Sequence, residues 1–145
     1  MSDLLDDKPE MSFWIVGAFA LVWNLIGLVV YYSHVSMPPE ALEGFTEAQR
    51  AFFSATPVWA TSAYAVAVTA GVLGSLFLLL RKAWAVPLFV LSLVGIVVQD
   101  LHAFVFSNGL EVWGTEGIYL PVIVIVVAIA LVMYSRGAKR RRLLT

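Results

Sequence analysis

Four stretches of the chain are nearly unbroken runs of apolar residues, from about Phe13 to Tyr32, Pro57 to Leu80, Ala83 to Phe106 and Ile118 to Ser135. A helix needs roughly 17–25 such residues to cross a bilayer. None of the four shows the period-2 alternation of a barrel strand, so each reads as a transmembrane helix. The two-residue turn Arg81-Lys82 makes the second and third helices antiparallel neighbours. The expected fold is all-α, one four-span domain over residues 1–145 built as an antiparallel four-helix bundle.

The long first loop, His34–Thr56, has a pattern of its own. Ser36 before Met37-Pro38-Pro39-Glu40 reads as a helix start. Leu42, Phe45 and Phe52 share a face at helical spacing, opposite Glu43, Glu47 and Arg50. This predicts one short amphipathic helix lying on the outer surface or capping the bundle. Thr56 and Pro57 read as N-cap and first helical residue of the second span. Asn108-Gly109 marks a turn in the shorter outer loop.

Composition narrows the class. Of 145 residues, 61% are apolar and 13% charged, and mean hydropathy is +0.88. A soluble domain of this size has too little interior to hide that much apolar surface. There is no cysteine, which excludes disulfides, thiolate metal sites and a cysteine nucleophile. A net charge of −1 gives no basic field for nucleic acid.

Charge also orients the chain. Eight of the nine basic residues (Lys8, Arg81, Lys82, Arg136, Lys139, Arg140, Arg141, Arg142) fall on the side shared by both termini and the second loop. The positive-inside rule then places both termini in the cytoplasm. The acidic segment before the first span does not resemble a signal peptide, so that span reads as a retained anchor. Lys139–Arg142 reads as a topology determinant that also touches anionic lipid. Trp14, Trp84 and Tyr134 near inner ends, and Tyr31, Tyr32, Trp59, Trp113 and Tyr119 near outer ends, match interfacial belts.

Polar residues inside apolar spans are where chemistry is sought. Asn24, after Trp23, lies ~16 Å beyond Phe13, near the expected midplane. It shares a small and polar stripe with Gly17, Ala20, Gly27 and Tyr31, and either bonds a neighbouring helix or contacts a ligand. Ala63, Ala67, Gly71 and Ser75 form a small-residue ridge suited to close helix approach, within the chain or between copies. Ser92, Gly95, Gln99 and His102 share one face of the third span. Asp100 points ~160° away from His102, which precludes a simple dyad on one helix. It lies ~25 Å along its span, where a carboxylate reaches the outer headgroups. Depth alone groups His34, Trp59, Gln99, His102, Glu111 and Trp113 into an outward-facing pocket. The ligand-binding candidates are thus Trp23, Asn24, Trp59, Gln99, His102 and Glu111. His34 and His102 make only a weak metal signal, and no metal site is assigned. No phosphate loop, zinc-protease helix or nucleophile elbow is present, so the chain reads as non-enzymatic and free of cofactors.

Several segments resemble a group of small bacterial four-helix inner-membrane proteins commonly labelled sugar transporters. They are Trp23-Asn24 with Gly27, Thr56-Pro57-Val58-Trp59, Leu78–Ala85, Leu91–Ile96, Gln99 with His102, and Asn108–Glu111. The likeness runs from the first span to the fourth. It implies a bacterial inner-membrane protein; the expectation of transporter-like handling of a small polar solute such as a sugar rests on the aromatic, amide and carboxylate groups of the outer pocket. Gln99 and His102 belong to the shared pattern and Asp100 does not. Lys139–Arg142 stands where such proteins often carry further aromatic residues.

Two functional classes follow. One is a small transporter; four close-packed helices leave no central pathway, so it would need an oligomer or a site between helices. The other is a non-enzymatic accessory or sensory subunit acting in a homo-oligomer or larger membrane complex through helix contacts. An enzyme acting on lipid or quinone at the outer mouth lacks a catalytic set.

Overall fold

The structure, a computed structural model, describes residues 9–145; Lys8 and the acidic stretch before it lie outside the described residues. Among these the chain is helical with no strand. Helix α1 spans Met11–Val35, α2 Pro39–Leu42, α3 Glu47–Ala55, α4 Val58–Leu79, α5 Ala85–Leu101, α6 Gly109–Trp113 and α7 Tyr119–Arg140. A π-helical turn, His102–Phe106, extends α5, and a 3₁₀ turn, Thr115–Ile118, leads into α7. Four helical stretches are long and apolar enough to cross a membrane: Met11–Val35, Val58–Leu79, Ala85–Phe106 and Thr115–Arg140. The last runs beyond the expected stop at Ser135, because Lys139 and Arg140 suit the negative end of a helix dipole.

The first loop differs from expectation. It holds two helices, because Thr46 and Gln49 form a reciprocal capping box that starts a new one. Leu42, Phe45 and Phe52 therefore do not lie along one helix. Pro57, in extended conformation, is the N-cap of α4, and Val58 its first residue. Thr56 instead closes α3, its hydroxyl donating to the Phe52 carbonyl at 2.9 Å. Gly109 opens the short helix α6 rather than marking a simple turn.

The long helices pack in the order α1–α4–α5–α7. Small residues set the closeness of each contact. A Cβ on Gly95 of α5 would stand 2.7 Å from the Ala63 carbonyl of α4, and Ser92 donates to the Ala67 carbonyl at 2.7 Å. On the other side of α4, Gly17 faces Leu79 and Gly71 faces Asn24. The ridge of Ala67, Gly71 and Ser75 is thus buried inside the chain.

The core lies at the end of the long helices shared by the α4–α5 turn and the last residues, here the tail end. Phe13, Leu78, Ala85, Phe89, Leu131 and Ala138 cluster there with Leu143 and Leu144. The tail folds back on the turn: Arg81 Nε donates to the Leu143 carbonyl and Thr145 N–H to the Arg81 carbonyl, both at 2.9 Å. Arg81 (φ 59°) and Arg142 (φ 61°) are left-handed. Each follows a helix end where the next residue bonds back five positions, Lys82 to Phe77 and Leu143 to Ala138, the Schellman arrangement.

Candidate functional site

The row of helices does not close into a ring. Helices α1 and α7 are not packed along their length but meet at the tail end, where the Phe13 and Tyr134 rings lie 6.4 Å apart. Beyond that closure they part. A cavity of about 310 Å³ occupies the gap, lined by all four long helices. The expected obstacle to a site within one copy, a bundle that fills its own centre, is therefore absent.

Each helix contributes a face dictated by its register. From α7 come Leu120, Val124, Val127 and Leu131 at i, i+4, i+7 and i+11, an apolar wall. From α5 come Phe89, Ile96 and Asp100 at i, i+7 and i+11, within ~40° of one another at 100° per residue. Gln99 and Ser92 line the edge of that face towards α4, and α4 adds Tyr64, Ala67 and Val68. Trp23, Asn24 and Gly27 supply the α1 side. Polar groups come from α1, α4 and α5, so the cavity has one polar flank and one greasy wall.

The Asn24 carboxamide is held in place. Its Nδ2 donates to the Ala20 carbonyl at 2.8 Å and to Ser75 Oγ at 3.1 Å, while Ser75 donates onward to the Gly71 carbonyl at 2.8 Å. Both amide hydrogens are thus committed, which leaves the Oδ1 acceptor as its remaining polar capacity. Trp23 stacks on Phe19 at 6.0 Å. Asp100, the carboxylate expected to reach the outer headgroups, lines the cavity, and among the described residues its Oδ2 is buried with no hydrogen-bond partner.

The residues grouped by depth do not form one pocket. Gln99 faces the cavity with Trp23 and Asn24. His102 is buried and meets the Trp59 ring edge-on at 5.2 Å. Trp113 packs on Phe45, Phe52 and Phe53 at 6.3, 6.2 and 5.6 Å. His34 stands 5.0 Å from Phe53. Phe52 lies 6.4 Å from His102 and ties these rings into one aromatic cluster over the loop end. Glu111 is exposed on α6 and contributes to neither group.

Sequence reasoning leaves Asp100 to the headgroups rather than among the ligand-binding candidates, and passes over Tyr64 and the α7 wall. The signal for Asp100 is an acidic residue in an apolar span, which marks a site by default. The α7 stripe is hidden because nearly every residue of that helix is apolar, and its inner face has no contrast in sequence. Among the described residues no group of three or more His, Asp or Glu is placed to hold a metal ion. Comparison with protein-family models, curated proteins and solved structures gives no match, so the cavity itself is the guide to function.

Proposed function

We propose that the chain is a small multi-pass membrane protein, an antiparallel four-helix bundle, that admits a small amphipathic solute to the cavity between α1 and α7. Handling of that solute is transporter-like, with the protein in an outward-facing state. The observation that supports this reading is the cavity: it lies in the half of the long helices nearer the loops, and the packed Phe13, Phe89 and Leu131 lie towards its tail end. Arg81, Lys82, Arg136 and the Lys139–Arg142 run favour a cytoplasmic tail end, and the sequence resemblance favours a bacterial inner membrane.

The lining bears on the kind of solute. A sugar carries a hydroxyl on most carbons, and each one stripped of water needs a partner. The α7 wall offers no polar side chain, and the Asn24 donors are already used. An apolar body with one polar handle fits better. An accessory role draws on the α4 ridge as a contact surface, but α1 and α5 cover that ridge.

The test is a ligand screen on the purified protein followed by uptake into proteoliposomes. Hits should have apolar bodies, and their binding and uptake should both fall when Val124→Trp fills the cavity. Uptake that survives this substitution, or a screen in which no amphipathic compound binds, would count against the reading.

A further inference from the structure

We propose that the solute is an organic cation with an apolar body, held by Asp100 as counter-charge; this rests on the cavity being a solute site. Among the described residues Asp100 is the sole carboxylate in the lining, and no lysine, arginine or histidine accompanies it there. Its Oδ2 is buried and accepts no hydrogen bond from the protein. A carboxylate withdrawn from water is costly unless a positive partner or donors replace the lost solvation. The nearby donors do not reach it: both Asn24 hydrogens are taken, the Ser92 hydroxyl is given to the Ala67 carbonyl, and Gln99, though in the lining, makes no hydrogen bond to Asp100 Oδ2. A cationic ligand would supply that partner.

The rest of the cavity selects the kind of cation. A metal ion prefers several oxygen ligands, and one carboxylate with the neutral Asn24 and Gln99 carboxamides on a single flank, facing an apolar wall, is a poor substitute for its water shell. A quaternary or alkylated ammonium spreads its charge over a larger radius and sheds water at lower cost. Its alkyl groups gain from burial against Val124 and Val127. The Trp23 and Tyr64 rings border the same space and offer π faces to a cation. One carboxylate, two aromatic rings and an aliphatic wall together match such a ligand and disfavour anions and sugars.

The experiment compares two probes of the same shape that differ by one charge: benzyltrimethylammonium and its carbon isostere neopentylbenzene. Binding is measured on the full chain in lipid nanodiscs, with empty nanodiscs subtracted. The cation should bind at least ten-fold more tightly than the isostere. Asp100→Asn should remove that preference while leaving neopentylbenzene binding unchanged, Asp100→Glu should retain it, and Val124→Trp should abolish binding of both. Equal binding of the two probes by the native protein overturns the cation assignment and leaves the cavity reading standing. Cation binding that survives Val124→Trp also overturns it, because the cation then binds elsewhere. If neither probe binds the native protein, both readings fall. The comparison of probes on the native chain keeps the proposal testable even where a variant does not fold.

Discussion

The carboxamide of Asn24 rests directly on the bare Cα of Gly71, so closely that a β-carbon there would overlap Asn24 Oδ1. This contact fixes where α1 crosses α4, and it sets the polar flank of the cavity. The same amide reaches Ser75 one turn further on, at 3.1 Å. A polar group that lines the cavity is therefore also the pin between two helices.

Gly71→Ala should destabilise the protein by about 1–3 kcal/mol, the usual cost of overpacking. In an Asn24→Ala background the same change should cost much less, since the clashing group is gone. A double-mutant cycle measured by denaturant titration in detergent gives the coupling directly. Additive effects would mean that the two residues do not touch.

Gly95→Ala should be more damaging than Gly71→Ala. The new methyl would meet the Ala63 carbonyl at 2.7 Å and the Ala67 backbone nitrogen at 3.0 Å. Main chain cannot swing aside as a side chain can, so α4 and α5 must separate. Thermal unfolding of the two variants side by side tests the ranking.

Arg142→Gly should stabilise the tail. Arg142 holds φ at 61°, a conformation that costs a β-carbon-bearing residue ~1–2 kcal/mol. Part of that gain is returned through the greater chain freedom of glycine when unfolded. A net rise of about 0.5–1 kcal/mol is expected, read as an upward shift in melting temperature.

His102→Ala and Glu111→Ala should separate the aromatic cluster from the exposed surface of α6. His102 is buried against Trp59, so its loss should lower stability by about 1–3 kcal/mol through lost ring packing. Glu111 is exposed and its loss should stay within about ±0.5 kcal/mol. Neither residue lines the cavity, so neither change should alter ligand affinity there more than about two-fold, whereas Gln99→Ala should weaken it. Titration of any bound solute against the three variants checks the division.

Much of the architecture is legible in the residue pattern. Four long helices, the tight Arg81-Lys82 turn and the close-approach role of Gly71 follow from hydropathy and residue size, whereas that of Gly95 emerges only from the packing of α5 on α4. Helix order in space is not legible, because four apolar helices of similar length permit several arrangements. The site suffers most from that gap. Depth along a helix groups His102 with Glu111 and Trp113, but rotation about the axis decides which way each faces. Rotation turns His102 towards Trp59 and brings Asp100 beside Gln99 on the cavity side. The first loop departs from its sequence pattern for a local reason: the Thr46–Gln49 capping box outweighs the apolar stripe that crosses it.

A cavity that serves a solute in the way proposed must open to solvent from the loop end and be sealed at the tail end. The chain has no cysteine, so one introduced thiol reports without background. Val68→Cys and Val124→Cys, close to isosteric, place it on opposite walls of the cavity, and Met133→Cys serves as an exposed apolar control outside it. A membrane-impermeant thiol reagent applied to sealed vesicles of known orientation should modify both cavity thiols from the side that bears the loops. It should modify neither from the side that bears the C-terminal tail, and should leave the Met133→Cys control untouched from both. Labelling of the cavity positions from the tail side, or from neither side, would show that the cavity does not open to the loop end alone.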